Sequence, residues 1–498
     1  MNVNPITRLD YPDPDVIRVE DTYYMVSTTM HFMPGCEILQ SFDLVHWEHA
    51  TYVYETLDHT DAQQLKSGQN IYGQGMWAAS LRYHEGRFYI CFVANDTRKT
   101  YLYTSEKIDG PWKKQLIEGF YHDGSLLFDE DGRNYIVYGN DEIWITELNE
   151  DLTAPKKDGL HRLLVSDHKN PKLGYEGSHI QKINGYYYIF LIHSLRDRWM
   201  RTEACFYSDS LEGEFTGGDV LCDDRGYCGQ GVAQGGIVDT PDGKWYAMLF
   251  QDSGAVGRIP ILLPVTWKDH FPVFGQNGHV PEEIEVHSTR PGYIYQPLVG
   301  SDDFCNGLLP RWQFNHDPDP QYYHLDALQG TYTITTREVC TELTQAVNTL
   351  TQRMSYPSCA AEVTVDASAL KEGDVAGLCA FQGCYAAVGI TKHHGKYEVL
   401  MLDKKEDGIL DITEGTVVES HQMDFRLEAD FCNMKDEARC YYRVNKGDWL
   451  PIGTVHKLYF KLDHFTGCRF GLFCYAAEET GGSACFRDFK YYDVDEIS

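Results

Sequence analysis

Apolar and polar positions change places in short runs along the first part of the chain, and five of these runs share one layout. DPDVIRVEDTYYMV from Asp13, WAASLRYHEGRFYI from Trp77, DGSLLFDEDGRNYI from Asp123, EGSHIQKINGYYYI from Glu176 and QGGIVDTPDGKWYA from Gln234 each open on a lead residue followed by small or turn-prone ones. An apolar segment then runs to a Gly, Asp or Asn turn and into an aromatic, β-rich strand, which is the signature of a hairpin. The register is tight: a tyrosine lies 12 residues after the lead in four copies (Tyr89, Tyr135, Tyr188, Tyr246) and 11 after it in the first (Tyr24).

Successive leads stand 46 to 64 residues apart, room for a four-stranded antiparallel sheet each, and no long helical period intervenes. The pattern predicts a five-bladed β-propeller. Inner strands of a propeller line its central channel, so Asp13, Trp77, Asp123, Glu176 and Gln234 are expected to ring the axis. After about Thr289 the repeat stops, and PGYIYQPLVGSDDF leads into WQFNHDPDP, GTYTITT, NTLTQR and further short β-rich runs. These predict a β-sandwich of jelly-roll type. The chain therefore reads as all-β, with a propeller over residues 1–294 and a sandwich over 301–498.

Composition narrows the partners. The 498 residues are 43% hydrophobic, enough for a large core, and carry a net charge of −31. A field of that sign repels phosphate backbones and anionic lipid, so nucleic acid and membranes are not expected partners. The opening MNVNPITRLDYPDPDV lacks a basic stretch leading into an apolar core, and no window approaches the roughly 20 apolar residues of a membrane span. Fifteen cysteines without CxxC pairs, some inside apolar runs such as FYICFVAND (Cys91) and GLCAF (Cys379), are expected to be reduced, buried thiols in a cytoplasm.

Three acids, an indole and an amide at one channel mouth resemble the equipment for cleaving a glycosidic bond: an acid for the leaving oxygen, a base for water and a surface on which a sugar stacks. Glu176, flanked by Tyr175 and Gly177, has few charges near it in sequence, whereas Asp13 has Asp15 beside it. A less polar setting favours a protonated carboxyl, so Glu176 is the expected proton donor. One lead acid alone would as readily cap a turn; three in register favour catalysis. His31, His122, His179 and His193 lie near predicted channel ends but form no HExxH, Cys/His or EF-hand pattern, so they are expected as hydrogen-bonding rim residues and no metal ligand is assigned. FDEDG at residues 128–132 reads as a hairpin turn, not a calcium loop. Arg258, in GAVGRIPILLPVTW, could hold sugar hydroxyls or keep a carboxylate ionised; a surface ion pair is the alternative.

DYPDPDVIRV with STTMHFMPG, GMWAASLRYHEGRFY, DGSLLFDEDGR, YEGSHIQKINGYYY and GRIPILLPVTW resemble, in order, the motifs of glycoside hydrolase family 43. The stretch SDDF, WQFNHDPDP, NTLTQR and EGDVAGLCAFQG resembles the β-sandwich appended to that family's β-xylosidases. The resemblance implies Asp13 as general base, Asp123 as the residue that tunes and holds the acid, and Glu176 as general acid of an inverting mechanism. It further implies that Phe32, Trp77 and Arg258 shape the sugar subsite and that the loop 381–383 closes one side; Gln234 is expected to join the subsite from its place in the ring. Relatives place a histidine supporting a hydrated calcium where this chain has Gln234, so no cofactor is required while a structural calcium stays open. The expected activity is exo-acting release of terminal β-D-xylose from an oligosaccharide substrate, with α-L-arabinofuranosidase activity as the alternative. A non-catalytic carbohydrate-binding protein and a protein-interaction platform are the readings from other classes; homo-oligomer formation is left open.

Overall fold

The computed structural model describes residues 3–493, and among them every regular element is a strand or a short 3-10 turn. Each predicted hairpin supplies the first two strands of a four-stranded antiparallel sheet, and the five sheets are the blades. Their inner strands are Asp15–Val19, Met76–His84, Ser125–Phe128, Glu176–Ile183 and Ala233–Asp239. Apolar side chains on alternate faces of neighbouring blades bury one another, as in the cluster of Leu127, Val137, Ile145, Ile180 and Leu191 between blades three and four. The ring closes in the same way: Val16, Tyr23 and Met25 of blade one pack on Val238, Met248 and Leu262 of blade five.

The inner strands start on kinks. Asp13, Asp123 and Gln234 have left-handed backbone, with φ of 53°, 48° and 62°, and in blade four Gly177 takes that conformation (φ 64°) one residue after Glu176. Pairing slips between Met76 and Ala79, between Glu176 and His179, and between Ala233 and Gly236. Such bulges free one residue from the ladder and re-aim its side chain. Left-handed backbone at a non-glycine costs on the order of 1 kcal/mol or more, so strain is held where the lead residues turn toward the axis. Gly177 must be glycine on a second ground: a Cβ there would lie 2.7 Å from Cγ of Gln234.

The C-terminal domain is a sandwich of an eight-stranded and a seven-stranded antiparallel sheet around one apolar core. Its larger sheet includes a strand of the propeller: Phe32–Met33 pairs with Gln313–Asn315. Further contacts lock the two domains. Both oxygens of buried Asp10 are occupied, one accepting from the Arg258 N–H (2.7 Å) and the other from the Gly467 N–H (2.8 Å), while the Cys468 N–H donates to the Ala255 carbonyl. Arg353 of the sandwich pairs with Glu37 of blade one at 2.8 Å.

Candidate active site

The five lead residues all line one cavity of about 650 Å³ at the end of the channel. Asp13 is buried and accepts two hydrogen bonds, from Thr28 Oγ1 to Oδ2 (2.6 Å) and from Arg258 Nη1 to Oδ1 (2.5 Å). The guanidinium makes a charge-assisted bond that fixes the direction of the carboxylate. Arg258 is itself buried, with Phe465 of the sandwich 4.0 Å from its guanidinium, so it is no surface ion pair.

Asp123 accepts from the Gly177 N–H (2.9 Å) and has His122 Nε2 at 3.5 Å. Burial pushes its pKa up to about 6, with Glu176 and Asp13 adding to the rise and His122 and the Gly177 N–H opposing it. Glu176 is half-buried; Asn140 Nδ2 donates to its Oε2 at 2.7 Å, and His122 Nε2 lies 3.3 Å from the same oxygen. His122, Asp123 and Glu176 thus offer side-chain atoms within 4.8 Å of one another, while Asp13 stands outside that group. Two carboxylates set apart, one tied to a cation and one held by an amide and an imidazole, suit a base and an acid on opposite faces of a sugar.

Trp77 forms part of the wall, 5.9 Å from His122 and 5.6 Å from Phe465 ring to ring, and Gln234 lies against Gly177. Phe32 does not belong to the subsite. Its side chain has no exposed surface; it packs under the Arg469 guanidinium at 3.4 Å, because its strand completes the sheet of the sandwich. The loop 381–383 is likewise set behind the wall, with Phe381 in the core and Gln382 donating to the Ala255 carbonyl. The sandwich instead reaches the cavity through Met434, Phe460, Lys461, Leu462 and Phe465.

The histidines divide by surroundings. His122 is in the site, and His193 bonds Asp167 and Asp219 as a rim residue would; His179 is not at the rim but buried on Asp15 inside the channel. His31 makes no such bond: both ring nitrogens are buried without a partner, and the ring packs among Phe32, Tyr72, His316 and His464 at the domain junction.

The channel below the carboxylates does not fit a calcium ion. Arg82 crosses it, donating to Asp15 Oδ2 (2.7 Å), Ser125 Oγ (2.7 Å) and the Leu126 and Ile180 carbonyls, so one side chain ties four inner strands. Burial would raise the pKa of Asp15, but Arg82 and His179 outweigh it and hold the carboxyl near 2. A fixed guanidinium thus stands on the axis, and the carboxylate that faces it is already engaged.

Further residues of the wall escape the lead-residue pattern, among them Asn140, Trp199, Arg201 and Asp252. Trp199 is about half exposed at the mouth, and Arg201 and Asp252 form an ion pair between blades four and five. Asn140 and Asp252 end second strands, and Arg201 and Arg258 begin third strands, so these residues share the level of the leads. A polar residue where the second strand passes to the third was the available signal.

A five-bladed propeller with three carboxylates around a sugar-sized cavity is the arrangement of a glycosidase. The chain belongs to glycosyl hydrolases family 43, whose model matches residues 3–272; the β-xylosidase C-terminal concanavalin A-like domain matches 301–492. A β-xylosidase of Formosa agariphila is 26% identical over 99% of this chain and 89% of its own length. A solved bifunctional GH43-CE protein of Bacteroides eggerthii is 42% identical with a TM-score of 0.93 over the whole of this chain, which spans 64% of that one. A solved family 43 enzyme engineered to show both endo-xylanase and exo-arabinofuranosidase activity is 27% identical over 99% of this chain and 100% of its own, with a TM-score of 0.87.

Proposed function

We propose that this glycoside hydrolase releases terminal β-D-xylose from xylooligosaccharides with inversion at the anomeric carbon. The observation that carries the reading is the unequal partnering of three carboxylates around one cavity: Asp13 on Arg258, Asp123 on a backbone N–H, and Glu176 on Asn140 and His122. Asp13 takes a proton from water as the water oxygen bonds to the anomeric carbon. Glu176 gives its proton to the departing glycosidic oxygen as that bond breaks, and the two carboxyls end with their protonation exchanged. Asp123 fixes the Gly177 backbone next to the donor. The sandwich loop walls one side of the cavity, which supports attack at a chain end.

An α-L-arabinofuranosidase activity of the same site is the second reading, supported by the exo-arabinofuranosidase activity of the engineered family member. Cytoplasmic residence belongs to the proposal as well, supported by buried unpaired thiols such as Cys91 and Cys379. Release of nitrophenol from β-D-xyloside and α-L-arabinofuranoside substrates tests the reading. Faster turnover of the xyloside is expected, faster turnover of the arabinofuranoside would promote the second reading, and turnover of neither would sink both.

A further inference from the structure

We propose that His122 is a positioning residue for the proton donor: with Asn140 it holds Oε2 of Glu176, leaving Oε1 to carry the proton toward the leaving oxygen. The inference rests on Glu176 being the general acid. A carboxyl can present its proton in a defined direction only if its other oxygen is held. Here both donors within reach converge on Oε2, Asn140 Nδ2 at 2.7 Å and His122 Nε2 at 3.3 Å. The imidazole also faces Asp123 Oδ2 at 3.5 Å and meets the Trp77 ring edge-on, so its plane is held from two sides.

The charge on His122 is part of the device. Burial opposes its protonation, but Asp123, Glu176 and Asp13 outweigh burial and raise its pKa to about 9. The other cations of the cavity are committed elsewhere: Arg258 to Asp13, Arg201 to Asp252 and Lys461 to Glu406, while Lys172 lies at the rim. Among the described residues His122 is the basic side chain within 4 Å of Glu176. A cation beside an acid favours loss of its proton. Asp123 and Glu176 meet the same ring nitrogen, at 3.5 and 3.3 Å, so the imidazolium charge is shared between the two carboxylates.

The test is the pH profile of kcat/KM on xylobiose for His122→Gln, which keeps a donor and removes the charge, and for His122→Leu, which removes both. Both variants should move the alkaline limb upward. His122→Leu should also lower kcat on xylobiose by about 10- to 100-fold, the range for a hydrogen bond to a charged group. A dinitrophenyl xyloside, which needs little protonation, should be affected far less. Unmoved alkaline limbs, or equal losses on both substrates, would overturn the proposal. The parent reading is separable: Glu176→Gln without leaving-group dependence refutes Glu176 as the acid, whereas Glu176→Gln with it and His122→Leu without it refutes only the role given to His122.

Discussion

Glu176→Gln separates acid from base by the basicity of the departing oxygen. Glutamine is nearly isosteric, and its amide oxygen can accept from Asn140 Nδ2 as Oε2 of Glu176 does, so the cavity wall should keep its shape. What disappears is the transferable proton. General acid catalysis contributes about 10²- to 10⁴-fold, or roughly 3 to 5 kcal/mol of transition-state stabilisation, when the leaving oxygen is strongly basic. Xylobiose should therefore lose that factor in kcat/KM. A dinitrophenyl xyloside, whose phenolate departs unaided, should lose little. Asp13→Asn removes the group that activates water, a need common to both substrates, and should be severe on each. Initial rates on the two substrates, with chemistry verified as rate-limiting, give the comparison. Equal losses for Glu176→Gln would show that its carboxyl is not the proton donor.

Arg258→Met leaves Asp13 buried without its cation; breaking such a pair costs about 3 to 5 kcal/mol, so the melting temperature should drop together with kcat/KM, and a variant of unchanged stability would contradict the pairing. Removing residues after about 300 deprives Phe32–Met33 of its partner strand and the cavity of its Phe460–Phe465 wall, so the truncated propeller should be inactive on nitrophenyl xyloside; full activity would refute the coupling of the domains. His122 binds its proton more tightly in the folded chain, with a pKa of about 9 against an ordinary 6.5. The stability this contributes is complete below about pH 6.5 and lost as pH rises through 9, so thermal melts over that window should show a decline that is smaller in His122→Leu. An identical decline in both proteins would contradict the raised value.

The blades were legible because each repeats a local pattern: lead residue, bulge, apolar strand, turn, aromatic strand. Convergence of Asp13, Trp77, Asp123, Glu176 and Gln234 on one cavity follows from that repeat alone. Phe32 was not legible. It lies in a two-residue strand whose sequence looks like subsite sequence, and only the partner strand Gln313–Asn315, some 280 residues away in the chain, turns it inward. The same holds for the sandwich wall. Which loop reaches the propeller depends on how Gly467 packs against the Val256 carbonyl, where a Cβ would come within 2.1 Å, and no local pattern records that contact. His122 stood in plain view beside Asp123, but its value comes from Glu176, which folding brings across from the next blade.

In the proposed reaction water displaces the leaving group directly at the anomeric carbon, with Asp13 as base and Glu176 as acid, and proton NMR of the first turnovers on a β-D-xyloside decides between this and a two-step route. α-Xylose should appear first, and β-xylose should follow only at the rate of mutarotation. Initial appearance of β-xylose would mean a covalent intermediate and would contradict the assignment of both carboxylates.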